Sequence, residues 1–207
     1  MKLLGNLKKG LLFVISAPGG AGKTTLVNML EDEFDCVKRA TTFTTRPKRG
    51  KEIDQECYHF INVEKFKEKI EQNEFLEHAK VHENYYGIEK KVVEKLLETS
   101  HVVLVIDTQG LKSLIEQNIP LVSIFVSPPS IEELENRLKN RKTESKESMN
   151  QRISKAKKEI KMIPWYDYHI INEDLVLAYT VLRSILIAEE HKAKRVGDYV
   201  FRRSNDQ

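Results

Sequence analysis

LLFVISAPGGAGKTT, residues 11–25, is the stretch from which the architecture of this chain is read. Its apolar opening, residues 11–15, is short and rich in β-branched side chains, as a strand buried on both faces requires. Beyond Thr25, the apolar residues Leu26, Met29 and Leu30 fall at the spacing of one helix face. A glycine-rich turn ending in Lys and Thr joins the two. Strand, glycine turn and a helix opening at a lysine are together the setting of a phosphate-binding loop. Ala17, Pro18, Gly19, Gly20, Ala21 and Gly22 would wrap the backbone so that its N–H groups point inward, and the helix N-terminus would add partial positive charge. Lys23 would reach the β- and γ-phosphates, the Thr24 hydroxyl would ligate Mg²⁺, and Thr25 would follow in the first helical turn.

The motif departs from G-x-x-x-x-G-K-[ST] at one place, Ala17, where the first glycine belongs. A methyl there is tolerable if the residue does not need positive φ. A turn that merely connects strand to helix would leave the Lys-Thr pair without a purpose. Lys8 and Lys9 ahead of LLFVISA imitate a signal peptide, but the apolar run is only about seven residues and leads straight into the motif. The expectation is a mature, cytoplasmic chain.

With 207 residues the chain can bury one substantial core with small inserted lobes. Charged residues at 31% and hydrophobic residues at 40% are ordinary for a globular protein, and no apolar run approaches the ~18 residues of a membrane span. A net charge of +3 does not indicate a nucleic-acid binder, yet basic residues cluster over residues 46–51, 137–146 and 155–161, which suits a compact polyanion. Cys36 and Cys57 make no disulfide framework and fit a reducing compartment. His78 and His82 lack the Glu of H-E-x-x-H, so zinc is remote.

Further along, apolar strands alternate with helical patterns. Strands are expected at 58–61, 75–79, 102–106, 121–126 and 169–171, with residues 83–87 as a turn. Asn62 is expected to cap a helix carrying Val63, Phe66 and Ile70 on one face, and Ser130 with Glu133 to form a capping box. The last helix carries Leu175, Tyr179, Leu182 and Leu186 along one stripe. This rhythm implies an α/β fold: a parallel-sheet P-loop core with helices on both faces. Residues 37–88 break it with polar strands and tight turns and are read as an inserted mixed α+β lobe. The core then comprises 1–36, 89–136 and 153–195, with a charged helical lid at 137–152 and a basic tail at 196–207.

Taken with the phosphate loop, TTRPKRGKE (44–52), FLEHA (75–79), NYYG (84–87) and VLVIDTQG (103–110) make the chain resemble the guanylate kinases, P-loop nucleoside-monophosphate kinases. The resemblance runs from about Leu11 to Glu190 with the motifs in the family's order. It implies a core, a GMP-binding lobe and a mobile lid, and transfer of a phosphoryl group from ATP to GMP or dGMP with Mg²⁺. On this resemblance residues 17–25, Arg137 and Asn172 bind ATP. Arg46, Arg49, Tyr58 and Tyr86 cage the GMP phosphate; the spacing of the two arginines lets two guanidinium forks converge on one dianion. Glu77 would read guanine, because a carboxylate accepts from N1–H and N2–H₂ together while adenine presents an acceptor at N1. Thr42 stands where Ser is common, and Asp107 faces the guanine and metal region. Arg141 and Arg152 would meet the transferring phosphoryl group; such an arginine can be worth about 10³–10⁵ in rate. Lys23, Arg46, Arg141 and Arg152 form the implied catalytic set. No general base is needed, since the acceptor is already an oxyanion.

The sequence departs from the family pattern at Ile88, usually Ser or Thr, at Val105, often Asp, and at Lys142, usually Gly. Rival readings are a related P-loop kinase with another phosphorylated acceptor, a guanylate-kinase-like module that binds phosphoproteins without catalysis, and a nucleotide switch. The intact Gly22-Lys23-Thr24 speaks against the second, and no γ-phosphate-sensing loop supports the third. A monomer or small homo-oligomer without membrane or nucleic-acid partners is expected.

Overall fold

In the computed structural model of this protein the described residues are 2–48, 53–54, 58–81, 83–140 and 146–195. The central strand is β1 (Leu12–Ser16), every residue of which is buried. Its alternation divides the core in two. Phe13 and Ile15 join Leu26, Val27 and Leu30 of α1 (Lys23–Glu33) on one face, while Leu12 and Val14 belong to a second cluster on the other.

The chain continues through β2 (Val37–Arg39), β3 (Thr42–Thr44), β4 (Tyr58–Phe60), α2 (Val63–Glu71), β5 (Phe75–Val81), β6 (Asn84–Glu89) and α3 (Lys90–Leu97). It returns to the core with β7 (His101–Val105), α4 (Thr108–Glu116), β8 (Val122–Ser127), α5 (Ile131–Asn140) and α6 (Lys146–Ile160). A 3₁₀ turn (Ile163–Trp165), β9 (Tyr168–Ile171) and α7 (Leu175–Glu190) complete it. The main sheet has strand order β2-β7-β1-β8-β9, all parallel, and the smaller sheet β4-β3-β6-β5 mixes parallel and antiparallel pairs. Ala178, Leu182, Ile185 and Leu186 of α7 cover the α1 side; Val93 of α3 with Leu111 and Leu114 of α4 cover the other.

Local chemistry accounts for the helix starts. Asn62 Oδ1 accepts from Lys65 N at 2.8 Å, as expected, and Ser130 Oγ accepts from Glu133 N at 3.1 Å, the serine half of the expected capping box, while Glu133 Oε1 accepts from Arg137. Asp107 and Asp174 cap α4 and α7 in the same way.

Three expectations are corrected. Val37–Arg39, assigned above to the inserted lobe, pairs in parallel with β7, so the small sheet begins only at Thr42; Val37 is fully buried in the main core, which holds the segment there. Residues 84–87, read as part of a turn, are the start of a strand. Gly87, taken as a turn residue, is there because the Phe66 and Phe75 rings press on the backbone: a Cβ would lie 2.9 Å from Phe75 Cδ1 and 3.0 Å from Phe66 Cζ. On α7, Leu175 is exposed and the buried stripe starts at Ala178. Arg49, Cys57, His82, Arg141, Lys142 and the tail from 196 lie outside the described residues.

Candidate active site

At the carboxyl end of β1 the chain turns through Ala17–Gly22 into α1. Gly22 caps this helix with φ 92°, a left-handed conformation that disfavours a side chain. Ala17 has no such demand: among the described residues only Asn73 and Asn118 are non-glycines with positive φ. Its methyl is buried in the core cluster, so the departure from the glycine pattern is a packing substitution. No side chain caps α1 and no acid occupies its first turn, which leaves N–H groups and the positive end of the helix dipole for an anion. Lys23 lies across the loop, Nζ donating to the Ala17 carbonyl at 3.4 Å. Burial lowers its pKa, against the opposing charges of Glu159 and Asp107.

One cavity runs from this loop to the small lobe. The loop contributes Lys23 and Thr24, the lobe Thr42, Tyr58, Glu77 and Tyr86, the N-cap of α4 Asp107, and α6 Lys155. Seven of the residues singled out in the sequence are thus brought to one place.

Arg46 is 6% exposed and lies over the Tyr58 ring, 4.8 Å from its centroid, with Nη1 donating to the Pro47 carbonyl at 2.8 Å. Two residues that the sequence reading passed over hold it. The Thr44 hydroxyl donates to the Tyr85 carbonyl at 3.0 Å and accepts from Arg46 N at 3.3 Å. Thr45 Oγ1 accepts from Tyr85 N at 2.9 Å, while Thr45 N donates to the Tyr85 carbonyl at 3.1 Å. The Thr-Thr pair directly before Arg-Pro was the available signal. Tyr86 meets Tyr58 edge-on at 6.4 Å, and Tyr85 points the other way onto Phe66, as strand alternation dictates.

Glu77 is buried on β5 with its carboxylate against the first turn of α4. A Cβ at Gly110 would lie 2.6 Å from Glu77 Oε1, so the glycine makes the space. Burial, and secondarily the Asp107 charge, push the Glu77 carboxyl up to about 8. Asp107 is fully engaged: Oδ1 accepts from Gln109 N at 3.0 Å and Gly110 N at 3.3 Å, and Oδ2 accepts from Lys155 Nζ at 3.1 Å. Ile88, where a hydroxyl was expected, is fully buried with Val93, Leu111 and Leu114 rather than lining the cavity.

On the donor side, Arg152 lies beside the loop: a Cβ on Gly19 would sit 3.5 Å from its Nη1. Asn172 is 4% exposed and serves the loop from behind, Nδ2 donating to the Ala21 carbonyl at 2.8 Å. This amide is engaged with the loop backbone, which Gly22 lets it approach closely. Arg137 pairs with Glu133 one turn back on α5 at 2.8 Å and is not a cavity residue. Arg49 and Arg141, the remaining arginines of the expected set, lie outside the described residues.

The glycine loop with Lys23 and Thr24 and the pocket that holds Glu77 thus share one cavity. The guanylate kinase family profile matches residues 9–189. A guanylate kinase of Protochlamydia amoebophila (strain UWE25) is 47% identical over 94% of this chain and 99% of its own length. One of Clostridioides difficile (strain 630) is 42% identical over 97% of this chain and 98% of its own. The crystal structure of guanylate kinase from Anaplasma phagocytophilum superposes with a TM-score of 0.75 at 32% identity, covering 91% of this chain and 90% of that one.

Proposed function

The chain belongs to the guanylate kinase family, and from that premise we propose that it transfers the γ-phosphoryl group of ATP to GMP, and to dGMP, giving ADP and GDP in purine nucleotide metabolism. The observation that carries this reading is the shared cavity, which has Lys23 and Thr24 at one end and Glu77 at the other.

In this reading the helix N-terminus and Lys23 hold the ATP phosphates. Thr24 is exposed and lines the cavity at the loop's end, and its hydroxyl would hold Mg²⁺ together with phosphates and waters. When bound, that ion supplies neutralisation of the charge on the β- and γ-phosphoryl oxygens. Asp107, the other metal candidate, has both oxygens engaged and is better read as part of the acceptor site. Arg46 and Arg49, with the Tyr58 and Tyr86 hydroxyls, grip the GMP phosphate. Glu77 accepts from guanine N1–H and N2–H₂, and Thr42 supplies a hydroxyl near O6. Arg152, with Arg141 from the lid, offsets charge on the group in flight. Closure of lobe and lid excludes water and so suppresses hydrolysis of ATP. We place the enzyme in the cytoplasm as a monomer or small homo-oligomer, in keeping with the absence, among the described residues, of a helix long and apolar enough to cross a membrane.

A coupled assay for ADP with Mg-ATP and GMP, dGMP, AMP, UMP or IMP tests the reading. Turnover confined to GMP and dGMP is expected. Turnover of a different phosphorylated acceptor alone would assign another kinase, and GMP binding without turnover would assign a binding module.

A further inference from the structure

Asp107 lines the cavity from the N-cap of α4, and its ion pair with Lys155 has no part in the proposed reaction so far. Lys155 projects from α6, three residues beyond Arg152 and one turn before Glu159. Its Nζ lies 3.1 Å from Asp107 Oδ2 and 3.5 Å from Glu159 Oε1. The carboxylates are the more enclosed partners: Asp107 is 15% and Glu159 8% exposed in the side chain, against 31% for Lys155. The other oxygen of Asp107 is held by the N–H groups of α4, so the lysine completes the fixation of that carboxylate.

We infer that Lys155 is a positioning residue for the nucleotide acceptor, setting Asp107 by an ion pair that ties α6 to the cap of α4. The inference rests on the guanylate kinase reading of the cavity. Two carboxyl groups, Glu77 and Asp107, share this space, and once guanine recognition ionises Glu77 the like charges disfavour one another unless a cation intervenes. Lys23 is drawn to the phosphate loop, where it bonds Ala17. Of the two cavity lysines, Lys155 is therefore the one that bonds the acceptor carboxylate Asp107. Glu159, one turn along the same helix, steadies it from behind. Because α6 also carries Arg152 against Gly19, the same helix sets the acceptor carboxylate relative to the donor loop.

The test uses the full chain with Lys155→Met, Lys155→Arg, Asp107→Asn and the Lys155→Met/Asp107→Asn double variant. Each is measured for KM of GMP and of ATP, and by calorimetry for GMP binding without ATP. Lys155→Met is expected to raise the KM and Kd for GMP about ten-fold, a charged hydrogen bond's worth, while the KM for ATP moves by less than about two-fold. Lys155→Arg should recover most of the loss, and Lys155→Met should add little once Asp107→Asn is present. Unchanged GMP binding, an equal rise in the KM for ATP, or full additivity in the double variant would overturn the inference. If Lys155→Met does not fold, Lys155→Gln carries the same expectation. Wild-type chain that fails to phosphorylate GMP would instead overturn the functional reading, which keeps the two failures apart.

Discussion

At Gly110 the room of one methyl group decides where Glu77 sits, since an added Cβ would lie 2.6 Å from Oε1 and 2.7 Å from Cδ of that carboxylate. The glycine lies within a helix, so alanine suits its backbone and is worth up to ~1 kcal/mol in propensity. Gly110→Ala should therefore leave the melting temperature unchanged or higher while raising the KM for GMP about ten-fold or more, as melting curves and steady-state kinetics on one preparation would show. Glu77 itself makes a pH prediction. The titratable groups that line the cavity with it are Asp107 from the α4 cap, Lys155 from α6, Lys23 from α1 and Tyr58 and Tyr86 from the lobe, and of these Asp107 acts on its charge. With its carboxyl at about 8, the free protein at pH 7 holds a proton that guanine recognition must displace. GMP affinity should rise by up to about ten-fold per pH unit toward pH 8 and level off above it, with proton release visible as a buffer-dependent binding enthalpy. The stability effect follows from the same shift. A carboxyl whose folded pKa exceeds the ordinary 4.5 binds its proton more tightly folded than unfolded, so the native state loses stability as pH rises from 4.5 to about 8. Glu77→Gln should remove that loss, with a gain in melting temperature largest at and above pH 8 and absent below 4.5.

At the scale of elements, the phosphate loop is shaped from outside itself. Asn172 follows β9; its N–H donates to the Ser127 carbonyl at 2.7 Å and its amide to Ala21, so one residue links two strand ends to the loop. Asn172→Ala would leave the Ala21 carbonyl buried without this donor, at a cost of about 1–3 kcal/mol. Denaturant melts should show that loss, and the KM for ATP should rise more than that for GMP. The sequence reading placed Asn172 near the nucleotide by resemblance; its hold on the loop backbone depends on what packs beside it, which no linear reading carries. The strand at Asn84–Glu89 shows the same limit. Asn and Gly read as turn signals along the chain, but pairing with β5 and the pressure of two phenylalanine rings decide the conformation.

Across the whole molecule, a polar knot far from the cavity joins both ends of the described chain. Glu190, fully buried at the end of α7, accepts from Gly5 N at 2.7 Å, Asn6 N at 2.8 Å and Asn6 Nδ2 at 2.6 Å, and meets His101 Nε2 at 2.6 Å. Leu11 N donates to the other ring nitrogen of His101, which assigns the imidazole proton to Nε2 and makes it the donor to Glu190. Burial alone would raise the Glu190 pKa, but the hydrogen bonds from Gly5, Asn6 and His101 outweigh it and hold the group below its ordinary value. Its stabilisation is accordingly present above pH 4.5 and lost as pH falls through the depressed folded value. Glu190→Ala should cost about 1–3 kcal/mol for each buried donor it leaves without a partner, read in denaturant melts at neutral pH, and less in acid, with KM for either nucleotide unchanged.

By itself the sequence determined what depends on near neighbours in the chain. A β-branched run, a glycine turn and a Lys-Thr helix start are local signals, and so are the caps at Asn62 and Ser130, because each is a contact made within a few residues. The tertiary structure alone decided which side chains share a space. It brought Glu77 under Gly110, set Lys155 on Asp107, turned Asn172 toward the loop, buried Ile88 in the core and drew β2 into the main sheet. Each of these is a contact across distant parts of the chain, set by close packing and by the need of buried polar groups for partners, and neither has a period that a linear reading can follow.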